Sequence, residues 1–118
     1  MKKQSLLMAK EKAIPVTNNR PKQLINEALL ENAAMIFRAI NNKMRQKMLN
    51  HLHKKGGMTV SELYTLLKME QSITSQHLAI LRRAGFVTTK RDGKFIYYFV
   101  NDKRMKEVHQ NAEELLAK

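Results

Sequence analysis

Apolar and polar positions alternate along this chain with periods that change at identifiable points. Between residues 22 and 40 the apolar residues Leu24, Ile25, Ala28, Leu29, Ala33, Met35, Ile36, Phe37, Ala39 and Ile40 sweep most of a helical wheel. Gln23, Glu27, Glu31 and Arg38 make a narrow polar arc, with Lys22 at one end and Asn32 inside the sweep. A band this wide predicts a helix over 22–40 buried on two sides, and in so short a chain the second side is another subunit. Asn41-Asn42 breaks the pattern and supplies a cap for a helix over 43–53, whose apolar face is Met44, Met48, Leu49 and Leu52. Lys54-Lys55 and Gly56-Gly57 close it.

Thr59 and Glu62, three residues apart, have the spacing of a capping box, and Val60, Leu63, Leu66 and Leu67 give that short helix an apolar side. After a turn around Lys68-Met69-Glu70, residues 71–84 predict another helix. Its wheel divides Ile73, Thr74, His77, Leu78, Ile80, Leu81 and Ala84 from Gln71, Ser72, Ser75, Gln76, Ala79, Arg82 and Arg83. Gly85 ends it. Residues 86–100 then change to β-branched and aromatic runs around Asp92-Gly93, which predicts a hairpin with those two residues at the centre of a type I′ turn. Asn101-Asp102 caps a last helix, reaching to about Ala117, in which Met105, Val108, Ala112 and Leu115 step by coiled-coil spacing and Leu116 widens the seam. Helix, short helix, turn, helix and hairpin is the order of a winged helix-turn-helix. The expected fold class is mainly α with a β-hairpin wing, five helices in all, and a homodimer through the first and last helices. Leu24, Ala28, Met35, Met105, Val108, Ala112, Leu115 and Leu116 are its expected contact residues.

Composition sharpens this picture. The formal charge is +12 over 118 residues, which favours a polyanionic partner. No run of apolar residues reaches the length of a membrane span. There is no cysteine, which removes disulfides, thiolate metal ligands and thiol redox sensing, and fits a cytoplasmic protein. Residues 1–21 hold both prolines and a Lys-rich start, and read as a basic arm outside a domain spanning 22–118. No phosphate loop, paired-carboxylate motif or nucleophile–base signature points to an enzyme.

The outer face of helix 71–84 carries the functional expectation. Gln71, Ser72, Ser75 and Gln76 are short or amide-bearing and free of acid, the chemistry that base edges in a major groove require. Arg82 and Arg83 suit phosphates, and Lys90, Arg91 and Lys94 at the hairpin tip suit phosphate or a minor groove. His77 falls on the apolar side, where a hydrogen-bonded core histidine is the expected reading. Double-stranded DNA is thus the expected partner. A winged-helix module that binds another protein is the alternative, and the amide face and wing charges argue against it.

The run Ser72-Ile73-Thr74-Ser75-Gln76-His77-Leu78-Ala79-Ile80-Leu81-Arg82-Arg83-Ala84-Gly85-Phe86-Val87 resembles the S-x-x-S-x-H-L-x-x-L-x-x-A-G-L-V pattern of the ArsR/SmtB family of bacterial winged-helix repressors, with Phe86 in place of Leu. Asn42-Lys43-Met44-Arg45, Gly93 and Tyr97-Tyr98 extend the likeness, which covers about Glu31 to Leu116. Where the family often has Gly in its helix–turn, this chain has Lys68-Met69. The resemblance implies a cytoplasmic dimeric repressor that occupies an operator under control of a ligand. It also implies that Gln71, Ser72, Ser75 and Gln76 face the major groove. The family's metal chemistry does not carry over. Its Cys-x-Cys places are Thr59 and Ser61, and its last-helix ligand places are Asp102, Arg104, Leu115 and Lys118, which are not a divalent-metal set. His51, His53 and His109 remain, and His51 and His53 do not share a helix face. The expectation is a regulator with no metal, no cofactor and no cysteine sensor, and no residue identifies a small-molecule effector.

Overall fold

The computed structural model describes residues 23–117, so the expected basic arm, Lys22 and Lys118 lie outside the described residues. The elements run α1 (Glu27–Ile40), α2 (Lys43–Lys55), β1 (Met58–Thr59), α3 (Val60–Leu67), α4 (Gln71–Arg83), β2 (Val87–Asp92), β3 (Phe95–Val100) and α5 (Asp102–Leu116). This is a mainly helical winged helix-turn-helix, with the five expected helices.

Short polar side chains start four of those helices. Asn26 Oδ1 accepts from Leu29 N at 3.0 Å, Asn42 Oδ1 from Arg45 N at 2.9 Å and Asn101 Oδ1 from Arg104 N at 3.4 Å. Thr59 completes the capping box: its Oγ1 accepts from Glu62 N at 3.1 Å, and its own N–H donates to Glu62 Oε1 at 2.9 Å. Each bond satisfies an amide that the helix leaves without a partner. The cap at Asn26 also corrects the expected start of the first helix. The apolar sweep places it at residue 22, but Asn26 bonds its own downstream amide and holds a β conformation, which ends the helix there. Leu24 and Ile25 therefore precede α1 and are 99% and 54% exposed.

The wing differs from expectation in two respects. It is an antiparallel sheet of three strands in the order β1-β3-β2, because Met58 and Thr59 pair with Tyr98 and Tyr97. Two residues are too few to show a period in sequence. Register also moves the turn. Asp92 pairs with Phe95, so the two-residue loop is Gly93-Lys94, not Asp92-Gly93. Gly93 has φ 64° and Lys94 is not in the left-handed region, as in a type II′ turn, which wants glycine first. The turn between α3 and α4 has the opposite character. Lys68 adopts φ 55°, ψ 47°, the left-handed conformation that glycine takes more cheaply.

The core draws on every helix. Ala39 of α1, Met48, Leu49 and Leu52 of α2, Leu63 of α3, Leu78 and Leu81 of α4, and Val108 of α5 close around Met58, Ala84, Phe86 and Val87. Thr74 is the buried polar residue, and its Oγ1 donates to Glu70 O at 3.0 Å. Phe86 is fully buried where α4 hands over to the wing. Its N–H donates to Leu81 O and its carbonyl accepts from Asn101 N, both at 2.8 Å. Phe86→Ala should therefore lower unfolding free energy by about 3–5 kcal/mol in urea titration, the range for emptying a large aromatic site. A loss below about 1 kcal/mol would show that the junction refills by relaxation.

Candidate nucleic-acid interface

α4 has one face in the core and one in solvent. Thr74, Leu78 and Leu81 are buried, at the spacing of a helical stripe. Gln71, Ser72, Ser75, Gln76, Ala79, Arg82 and Arg83 are all exposed. The expected division holds apart from Ile73, which is 40% exposed at the edge of the apolar side. The outer face thus offers neutral amide and hydroxyl groups over its first two turns and two guanidinium groups at its end. The helix contains no acidic residue. Its N-cap, Glu70, makes no side-chain cap, so the first amides are left without a capping acceptor.

The wing follows α4 after Ala84-Gly85-Phe86. Lys90 and Arg91 are exposed at the end of β2, and Lys94 stands in the loop itself. Arg91 Nη1 makes a long 3.5 Å contact with Gly93 O, and Lys94 Nζ lies 5.4 Å from the Phe95 ring centroid. None of the five cations on α4 and the wing takes part in an ion pair among the described residues.

Two residues that the sequence marked only weakly hold this surface in place. Arg45, at the start of α2, donates from Nε to Ala39 O at 2.7 Å, from Nη2 to Arg38 O at 3.2 Å, and from Nη1 to His77 Nδ1 at 3.2 Å. Asn101 donates from Nδ2 to Gly85 O at 2.8 Å, linking the end of α4 to the start of α5. In sequence, Arg45 is one cation among 22 Lys and Arg, and Asn101 reads only as a cap. The family pattern flags the Arg45 stretch but gives it no role.

The residues expected at a subunit contact divide into groups. Met35, Met105 and Ala112 are half-buried, and Ala28 is exposed. Leu115 and Leu116 are 78% and 81% exposed. Val108 turns inward and is 7% exposed, so it belongs to the subunit's own core and not to an open seam. Leu24 lies before the helix, as described above. α1 also exposes Leu29 and Leu30, at 63% and 56%. Beside these helices, a cavity of about 550 Å³ is lined by Phe37, Ile40, Val108 and Ala112 with Arg38, Gln46 and His109 at its edge. Among the described residues no group of three or more His, Cys, Asp or Glu could hold a metal ion, and no helix is long and apolar enough to cross a membrane.

The His77 ring is half-buried. Burial holds its pKa below the usual 6.5, and the Arg45 charge pushes it the same way. The unfolded chain therefore binds this proton more readily than the folded one. The associated stability is complete above about pH 6.5 and is lost as pH falls through that value towards the lower folded pKa. Thermal melts should show a midpoint that declines on acidification below about pH 6.5, and His77→Asn should remove that part of the decline. An identical decline in the variant would assign it to other groups.

Residues 42–89 match the family model described as bacterial regulatory protein, arsR family. The chain is similar to an uncharacterized HTH-type transcriptional regulator, MJ1325, of Methanocaldococcus jannaschii: 36% identity over 85 residues, covering 72% of this chain and 96% of that one. It is also similar to the transcriptional repressor PagR of Bacillus anthracis, at 32% identity over 79 residues, covering 67% of this chain and 79% of PagR. Among solved structures, the homodimeric winged helix-turn-helix domain of Mb0332 from Mycobacterium bovis superposes with a TM-score of 0.66, covering 84% of this chain and 94% of that one. At 22% identity that likeness concerns the fold. With the helix-turn-helix, its acid-free outer face and the wing in place, the chain belongs to the arsR family of DNA-binding transcriptional regulators, a family of regulators and not of enzymes.

Proposed function

We propose that this regulator works as a homodimeric repressor, binding an inverted-repeat operator and responding through neither a metal nor a cysteine thiol. The observation that carries the reading is the outer face of α4. Gln71, Ser72, Ser75 and Gln76 stand exposed together with no acid beside them on the helix. Glutamine can donate and accept at once, which suits adenine, and serine can serve either kind of base edge. Arg82, Arg83, Lys90, Arg91 and Lys94 then supply the sequence-independent attraction to phosphate and, at the wing tip, to a minor groove. Phosphate contacts position the helix and base contacts specify the sequence.

The dimer rests on exposed apolar surface. Ala28 and Met35 on α1, with Met105, Ala112, Leu115 and Leu116 on α5, form its face, and Val108 backs it from inside. Leu29, Leu30, Leu115 and Leu116 are each more than half exposed, a cost that a second copy removes. The homodimeric Mb0332 domain and the repressor PagR support the assembly and the direction of control. A twofold dimer sets its two recognition helices in successive major grooves about 34 Å apart, which calls for a palindromic site. Residues 22–118 form the DNA-binding and dimerisation domain in this reading, and residues 1–21 a basic arm.

Selection from randomised duplexes with the purified chain, followed by footprinting, tests the proposal. Two protected half-sites about one helical turn apart are expected; a single half-site held by one subunit would remove the dimer. Gln76→Ala should lower affinity for the selected duplex by about 1–3 kcal/mol while leaving random duplex nearly unchanged. Equal losses on both would take Gln76 off the bases. Arg91→Ala should reduce the slope of log affinity against log salt by about 0.9. An unaltered slope would take the wing off the phosphates.

A further inference from the structure

α4 is held in the subunit mainly by apolar side chains. Thr74, Leu78 and Leu81 bury it, and burial of this kind is non-directional. Two hydrogen bonds to other elements supply direction. At its end, Asn101 grips Gly85 O at 2.8 Å. At its middle, Arg45 Nη1 meets His77 Nδ1 at 3.2 Å. His77 directly follows Gln76, so this second contact lies beside the residues proposed to read bases. The same guanidinium is anchored on the far side by the carbonyls of Arg38 and Ala39, at 3.2 and 2.7 Å. One side chain of α2 therefore ties the last turn of α1 to the middle of α4.

The chemistry of the contact is one-way. Guanidinium has donors only, so Nδ1 must accept, and the neutral ring carries its proton on Nε2. A proton on Nδ1 would set N–H against N–H between two cations. We infer that Arg45 is a positioning residue for operator recognition, fixing the angle of α4 against α1 through His77, and that it does so only while His77 is neutral. This rests on the DNA-reading role proposed for Gln71, Ser72, Ser75 and Gln76.

The surroundings do not rescue a protonated ring. α2 brings Arg45, and α1 brings carbonyls. The guanidinium of Arg38 on α1 is turned to Glu31 at 3.2 Å, both well exposed. The cations of α4, Arg82 and Arg83, sit in its last turn on the outer face. Among the described residues no carboxylate pairs with Arg45 or His77. Burial and the Arg45 charge both favour the neutral ring, consistent with the contact as built. Acid then frees α4 from its anchor. Base-edge hydrogen bonds weaken steeply with misalignment, whereas exposed cations hold phosphate in many geometries. Discrimination should fall while non-specific affinity does not.

The test uses the full chain, a labelled duplex enriched from a random library by the wild type at about pH 7.5, and a scrambled duplex of the same composition. Fluorescence anisotropy gives the affinity ratio of selected to scrambled duplex at about pH 7.5 and about pH 5.5. The wild-type ratio should drop about fivefold on acidification, the worth of one ordinary net hydrogen bond. His77→Asn puts a neutral acceptor near the place of Nδ1, and should hold the ratio within about twofold of neutral wild type at both pH values. Arg45→Lys keeps the charge but loses the fork, and should give a low ratio at both pH values with wild-type helix content by circular dichroism. Should that variant fail to fold, the two His77 arms decide the matter. A wild-type ratio that stays level or rises with acid overturns the inference, a rise marking instead a direct contact of His77 with phosphate. An asparagine variant that loses discrimination in parallel with wild type overturns it too, as does an Arg45→Lys protein that discriminates normally. If no duplex is enriched at all, the proposed function fails first and this inference falls with it.

Discussion

The last carbonyls of a helix lack donors within it, and the end of α1 finds them in the side chains of α2. Arg45 serves Arg38 O and Ala39 O, and Gln46 Nε2 serves Ile40 O at 2.8 Å. These carbonyls carry the negative end of the helix dipole, so a guanidinium is suited to them by charge as well as by shape. Arg45 is itself placed by the cap beneath it, where Asn42 accepts its backbone N–H. The tight α1–α2 corner, the position of α1 relative to the core and the polar anchor of α4 all depend on this arrangement. A lysine offers one ammonium group and cannot span the three acceptors with fixed geometry.

The corner also explains why a wide apolar helix can belong to a small domain. Only Ala39 of α1 is fully buried, close to the corner. Further from it, Leu29 and Leu30 stand in solvent. α5 repeats the gradient from the other end of the chain: Val108 is in the core, and Leu115 and Leu116 are in solvent. Both helices are thus anchored to the subunit at the part nearer α4 and unsatisfied at the part further away. Arg45 and Asn101 are where each meets α4 or its closing turn. In the homodimer proposed above, the spacing between the two copies of α4 would be set through those two polar contacts and the core between them.

Much of this was legible in the sequence because it follows from period and caps. The order of the five helices, the capping box at Thr59 and Glu62, and the two faces of α4 apart from Ile73 appear where the pattern put them. The start of α1 was misread, because the apolar sweep continues on both sides of Asn26 and it is the side-chain bond to Leu29 N that marks this residue as the cap. β1 was missed because two residues show no alternation, and the turn was misplaced by one residue because Asp-Gly signals a hairpin without fixing its register. At the interface, exposure of Gln71, Ser72, Ser75 and Gln76 came from the wheel alone. The supports did not. A long-range bond such as Arg45 to His77, 32 positions apart, leaves no local trace.

Thr59 shows how one position can be committed to the fold instead of to a sensor. The ArsR/SmtB pattern has a thiolate ligand at this place and another two residues on. Here Thr59 is an N-cap whose hydroxyl and amide are both engaged with Glu62, and the same residue pairs with Tyr97 in the sheet. A cysteine would be a poorer cap, since a thiol is a weak acceptor. Ser61, at the second place, is exposed and makes no bond that the cap requires. The start of α3 is therefore secured by hydrogen bonds that hold without a metal and do not depend on redox state. It fixes α3 against the strand that bears Tyr97 and Tyr98, and through α3 the turn at Lys68 that aims α4. With the first of those positions given over to structure, the start of α3 is held by the fold itself.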